Sequence, residues 1–151
     1  MMRFLLLLGF IGLCFCPPIC AELNGNVSSV ESDSERVGGL LSSRSSYYST
    51  IYEIRDPNGT VIREFVSPKG RIFAVAWEGR FVPEMTHLLG GLFQEYSRAV
   101  HSEHPNHSWR QPLFIHTPTL AFESGGHMGW YYGRAYVQAE IPNGFPMEEI
   151  H

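Results

Sequence analysis

Between residues 47 and 77 the chain runs through three short stretches of aromatic and β-branched residues, separated by Pro and Gly. Residues 47–55 (YYSTIYEIR), 60–66 (TVIREFV) and 71–77 (RIFAVAW) have the composition and bounding turn residues that predict β-strands. The two separators, Asp56-Pro57-Asn58-Gly59 and Ser67-Pro68-Lys69-Gly70, share one plan: an acceptor side chain, Pro, any residue, Gly. Pro presets φ at the second position and Gly takes the left-handed fourth, which predicts a type I turn closed by a Gly bulge. The three stretches therefore form a meander.

Turn type sets register. With Asp56 opposite Thr60 and Ser67 opposite Arg71, one face carries the rows Ile54-Ile62-Ala76, Tyr52-Glu64-Ala74 and Thr50-Val66-Ile72. The other carries Arg55-Val61-Trp77, Glu53-Arg63-Val75 and Ile51-Phe65-Phe73. Small Ala74 and Ala76 leave room for a helix on the first face.

That helix follows. Beyond Pro83, apolar residues at Met85, Leu88, Leu89, Leu92, Phe93 and Tyr96 fall on one helical stripe, which predicts a helix over 84–100. Gly90-Gly91 interrupts it at a cost of about 1 kcal/mol per residue relative to Ala. Both glycines lie off the stripe, so close packing does not account for them. A polar loop over 101–112 precedes further strands at 113–116, 120–124 and 130–138, the last two joined by Gly125-Gly126-His127-Met128-Gly129. Residues 142–145 close the sheet and 147–151 form a last turn. Upstream, Asn24 to Ser46 is polar. Ser28-Ser29-Val30-Glu31 has the form of a capping box and Gly38-Gly39 that of a stop, predicting a short helix over 30–37.

The pattern as a whole predicts an α+β domain. It has a small antiparallel sheet of five or six strands, one main helix packed on one face, and a short N-terminal helix. The organisation expected is a leader over 1–21, a polar N-terminal segment with a short helix over 22–46, and a single α+β domain over 47–151.

The leader rests on a different pattern. A positive Met1-Met2-Arg3 precedes an uncharged apolar run from Phe4 to Phe15, and Pro17-Pro18 precedes Ile19-Cys20-Ala21, the form of a signal peptide cleaved after Ala21. A membrane anchor needs about 20 apolar residues, more than this run provides. A lipoprotein needs small residues just before a cysteine, which Cys14, Cys16 and Cys20 lack. All three cysteines of the chain leave with the leader, so the exported chain has no disulfide, no thiolate nucleophile and no sulfur-bound zinc. The expected location is the periplasm or the medium, with no membrane attachment after cleavage. Eleven basic side chains against fifteen acidic, a net charge of −4, supply no cluster for phosphate neutralisation and argue against nucleic-acid binding.

Three segments carry candidate chemistry. His101, His104 and His107, with Glu103, are imidazoles of a kind that binds Zn, Cu or Ni. Their i, i+3, i+6 spacing spreads the rings around a helix and Pro105 breaks it, so a solvated polar loop is the plainer reading and no cofactor is expected. Glu123 to Tyr136 is the favoured candidate. Its glycines free backbone N–H groups for an anion, and His127 adds an imidazole, the side chain suited to proton exchange. Trp130, Tyr131, Tyr132 and Tyr136 form an aromatic ladder for stacking on sugars or peptide planes, with Arg134 for a carboxylate; Trp130, Tyr132, Arg134 and Tyr136 share one strand face. A glycine-requiring hairpin followed by an aromatic core strand is the structural alternative. Glu64 falls on the apolar face, where an unpaired carboxylate has a raised pKa and is a candidate general acid; an ion pair with an arginine is the alternative. No nucleophile elbow, phosphate loop, dinucleotide fingerprint or His-Glu-x-x-His is present, so no catalytic residue is assigned.

Five motifs resemble, in order, the signatures of the DUF2844 family. They are Glu64-Phe65-Val66-Ser67-Pro68-x-Gly70, Phe73-Ala74-Val75-Ala76-Trp77-x-Gly79, Leu88-Leu89-Gly90, Glu123-Ser124-Gly125-Gly126-His127-Met128 and Gly133-Arg134-Ala135-Tyr136. The resemblance spans the chain from about Leu23 onward and departs at Arg80, where the pattern has Pro. It implies an exported single-domain protein of Gram-negative bacteria and brings no assigned activity.

Two functional classes follow. One is a non-enzymatic binding or accessory module using Glu123, His127, Trp130, Tyr132 and Arg134, whose partner is another envelope protein or a polysaccharide or peptide ligand. The other is a hydrolase-like enzyme, which requires Glu64, Glu123 and His127 to converge in one pocket.

Overall fold

The computed structural model describes residues 23–151; the expected leader lies outside the described residues. In chain order the elements are α1 (Ser28–Val37), β1 (Leu40–Ser45), β2 (Thr50–Arg55), β3 (Val61–Val66), β4 (Ile72–Gly79), α2 (Met85–Leu89), α3 (Phe93–Glu103), β5 (Leu113–His116), β6 (Leu120–His127) and β7 (Trp130–Val137). All seven strands join one antiparallel sheet in the order β1-β2-β3-β4-β7-β6-β5. Seven strands exceed the five or six expected. The unforeseen one is β1, whose six residues LLSSRS are all exposed. It has no buried face to impose a period of two, and it is a strand because its backbone pairs with β2 from Leu40↔Arg55 to Ser45↔Thr50.

Both meander turns form as their residues dictate. In the first, the Asp56 carboxylate accepts the N–H groups of Asn58 and Thr60, each at 2.8 Å, and Gly59 sits at φ 86°. In the second, Ser67 donates its N–H to the Arg71 carbonyl at 2.8 Å and Gly70 sits at φ 78°. The β2–β3 register is the expected one, with Tyr52 opposite Glu64 and Ile54 opposite Ile62.

The β3–β4 register is not. Val66 pairs with Ile72 as expected, but the pairing then slips so that Phe65 faces Ala74, Glu64 faces Val75 and Ile62 faces Trp77. Phe73 is the extra residue of a β-bulge, which turns it and Ala74 to the same side and reverses every later side chain of β4. Val75 and Trp77 therefore join the core beneath the helices. Ala74 and Ala76 face the other way, with Ile51, Phe65, Phe73, Phe145 and Ile150. The small residues make room for the C-terminal segment and not, as expected, for the main helix.

The main helix is broken at the glycines. Gly90 adopts φ 50°, ψ −125°, a conformation closed to residues with a Cβ, and a 3₁₀ turn over Gly90–Leu92 links α2 to α3. Met85, Leu88, Leu89, Tyr96 and Ala99 still face the sheet. The N-terminal helix begins without the expected capping box: its N-cap is Val27, with no side-chain cap. It ends at Gly38, φ 63°, whose N–H returns to the helix carbonyls. No helix of the described residues is long and apolar enough to cross a membrane.

Residues 141–151 cover the face opposite the helices. Phe145 packs edge-on against both Phe65 and Phe73, with ring centroids 6.1 and 5.0 Å away. Arginines of the sheet hold the strap: Arg63 donates to the His151 carbonyl at 2.8 Å and Arg134 to that of Ile150 at 3.4 Å. The sheet thus has an apolar core on each side.

Candidate functional site

β6 and β7 are joined by two residues and not by the five expected. Met128 (φ 52°) and Gly129 (φ 77°) form the turn, with the two positive φ values of a type I′ hairpin. Gly125 and Gly126 lie in the ladder, opposite Tyr132 and Tyr131, and not in the connecting loop expected to cradle an anion. Their lack of a side chain serves the tyrosines. A Cβ at Gly125 would lie 2.8 Å from the Tyr132 hydroxyl, and one at Gly126 would lie 2.7 Å from the Tyr131 ring.

The alternation of β7 sends Trp130, Tyr132, Arg134 and Tyr136 to the face that carries the C-terminal strap, where Arg134 pairs across to Glu123 and to Ala76. The Arg134 Nε and Nη2 groups donate to Glu123 Oε2 at 2.9 and 2.8 Å. Arg134 is therefore not free for an incoming carboxylate. Nearby, Arg63 binds Glu53 at 3.0 Å and Glu78 at 2.8 Å. Although burial opposes it, the hydrogen bond and charge of Arg63, with Arg55, hold the Glu53 carboxyl below its ordinary value.

Between β5 and the strap lies a cleft of about 470 Å³, walled by Phe114, Tyr132 and Pro112, with Glu123, Arg134 and His151 beneath. Phe114, Trp130 and Tyr132 are 60%, 45% and 54% exposed, large apolar surface left bare where the neighbouring Phe residues are covered. Phe114 is the residue that sequence reasoning missed. Its signal was the alternation of Leu113-Phe114-Ile115-His116, in which Leu113 and Ile115 are buried and Phe114 and His116 point outward.

The structure brings Glu123, Tyr132 and Arg134 into one cleft, with Trp130 and His127 further along the same face at the hairpin tip. His127 is exposed, opposite Trp130. Glu64 is elsewhere. It points to the helix side, three strands from β6 and so about 14 Å away, in a separate cavity of about 330 Å³. Glu64, Glu123 and His127 do not share a pocket. Burial, against a weaker opposing effect of Arg36, pushes the Glu64 carboxyl up to about 7.

The three histidines are also apart in role. His101 Nδ1 engages the Ser97 carbonyl of its own helix at 2.7 Å, His104 ends α3, and His107 stands edge-on to Trp109. Burial, and then the charge of His104, lower the His107 pKa. Among the described residues no three His, Cys, Asp or Glu side chains are gathered so as to hold a metal ion.

The chain belongs to the DUF2844 family, described as a protein of unknown function, whose model matches residues 20–150. No curated protein and no solved structure matches it.

Proposed function

We propose that this DUF2844 protein is an exported, non-enzymatic binding module that receives a polysaccharide chain on the aromatic face beside its C-terminal strap. One observation carries the reading: Phe114 and Tyr132 stay exposed on a cleft, with Trp130 exposed further along the same face, while the side-chain charges of the cleft are paired, Arg134 with Glu123 and Glu78 with Arg63. Aromatic planes stack on the apolar faces of sugar rings. A paired guanidinium and carboxylate still offer polar atoms to hydroxyl groups without favouring a charged ligand. Trp130 and Tyr132 are two residues apart on one strand, about 7 Å, so the row suits an extended ligand. Export by cleavage after Ala21 delivers the module to the periplasm or beyond, where such chains are found.

The test is co-sedimentation of the leaderless protein with purified peptidoglycan sacculi and with cellulose, alongside tryptophan fluorescence titration with soluble oligosaccharides. Binding to at least one glycan, lost in Trp130→Ala and Tyr132→Ala, is the expected result. Glycan binding that both variants retain, or its absence together with saturable binding of peptides, rejects the polysaccharide assignment.

A further inference from the structure

The cavity on the opposite side of the sheet is closed by α1, by the turn after β2, and by the segment from Phe81 into α2. Its apolar walls are Val37, Ile54, Ile62, Val82 and Leu88. At about 330 Å³ it has the volume of a small-molecule site. Glu64 lines it and is 2% exposed, and its Oε2 atom has no hydrogen-bond partner among the described residues. A buried carboxylate oxygen without a donor is costly, and one that lines a cavity is placed to accept a hydrogen bond from a molecule that enters it.

Most of the other charged groups around the cavity are engaged, although the Asp33 Oδ1 atom also has no hydrogen-bond donor among the described residues. Arg36 is ion-paired with Asp33 of its own helix, and Asp56 accepts the N–H groups of its turn. His87 Nδ1 lies 2.9 Å from Glu84 Oε2. Against the four carboxylates of Asp33, Asp56, Glu64 and Glu84 stand one arginine and one histidine, so the cavity is short of positive charge. The carboxylates are spread around the walls and do not converge as metal ligands.

We propose that this cavity is a binding site for a small organic cation, a primary ammonium on a short apolar body, with the ammonium donating to Glu64 and the body against Ile54, Ile62, Val82 and Leu88. The site is independent of the aromatic cleft, because the two lie on opposite faces of the sheet. Binding draws the proton from Glu64, whose neighbours Asp33, Arg36, Asp56, Glu84 and His87 keep the partners they have.

The experiment titrates the protein with hexylamine and phenethylamine, with hexanol as the uncharged control, by calorimetry at pH 6.5 in two buffers of different ionisation enthalpy and by thermal shift at pH 8. The expected result is saturable amine binding with net proton release, little response to hexanol, and at least a tenfold loss of amine affinity in Glu64→Gln. Ile62→Phe, which fills the cavity, is expected to abolish binding and decides the matter if Glu64→Gln does not fold. Failure of both amines to bind overturns the proposal. So does amine affinity unchanged in Glu64→Gln or Ile62→Phe, or a response to hexanol equal to that of hexylamine.

Discussion

The Trp77 indole occupies the space that a side chain at Gly133 would need. The two residues face each other across β4 and β7. A Cβ at Gly133 would lie 2.7 Å from Trp77 Cε2 and equally close to the Glu123 carbonyl oxygen. Trp77 is buried among the residues beneath the helices and stacks, tilted, on Phe122 at 5.5 Å, so it has nowhere to retreat. Gly133→Ala is expected to destabilise the fold by about 1–3 kcal/mol through overpacking. Urea unfolding followed by tryptophan fluorescence measures the loss.

The adjacent glycines of the main helix make a paired test. Gly90 holds a positive φ, whereas a Cβ at Gly91 would meet nothing within 4 Å among the described residues. Gly90→Ala should cost about 1 kcal/mol or more, by forcing a side chain into a conformation it resists. Gly91→Ala should be neutral or stabilise by up to about 1 kcal/mol. Equal effects of the two in thermal denaturation would contradict the break seen at Gly90.

Sequence order explains part of this architecture and not the rest. The two Pro-x-Gly turns were legible because their geometry is decided within four residues. So was the apolar stripe from Met85 to Tyr96, which needs only a period. The bulge at Phe73 was not, since nothing in RIFAVAW says which of two apolar faces meets a helix, and both turned out to be buried. β1 was hidden for the opposite reason: it buries neither face. At the candidate site the aromatic ladder was readable from alternation alone. The pairing of Arg134 with Glu123, which changes what the cleft can bind, depended on a two-residue hairpin that the glycines had disguised as a longer loop.

Glu64 should make stability fall as pH rises. Its folded pKa, about 7, lies above the unfolded carboxyl value near 4.3. Between these values the folded state holds the extra proton, and the slope of unfolding free energy against pH is negative. The stabilisation is present in full below the unfolded value and is lost as pH rises through about 7, by at most about 4 kcal/mol. Glu64→Gln should remove this slope and be the more stable protein at pH 8. A pH series of urea midpoints checks the sign.

The strap is expected to be part of the fold and not an appendage. Phe145→Ala leaves a void against Phe65 and Phe73 and should cost about 3–5 kcal/mol. Chemical denaturation gives the value, and binding of a hydrophobic dye by the variant reports exposure of the face the strap covers.

The hairpin tip should behave differently. His127 is exposed and among the described residues no hydrogen bond of its side chain ties it to the fold, so His127→Ala should change stability by no more than about 0.5 kcal/mol. The same substitution is expected to weaken ligand capture. A variant that unfolds would make His127 structural.

One inserted residue gives this sheet two insides. Were Phe73 deleted, every side chain of β4 beyond it would change sides. The bulky Val75 and Trp77 would be driven into the footprint of the C-terminal residues, while the alanines would leave a hollow under the helices. Both layers would fail together, so this strand tolerates exchange of its side chains far better than any change in its length.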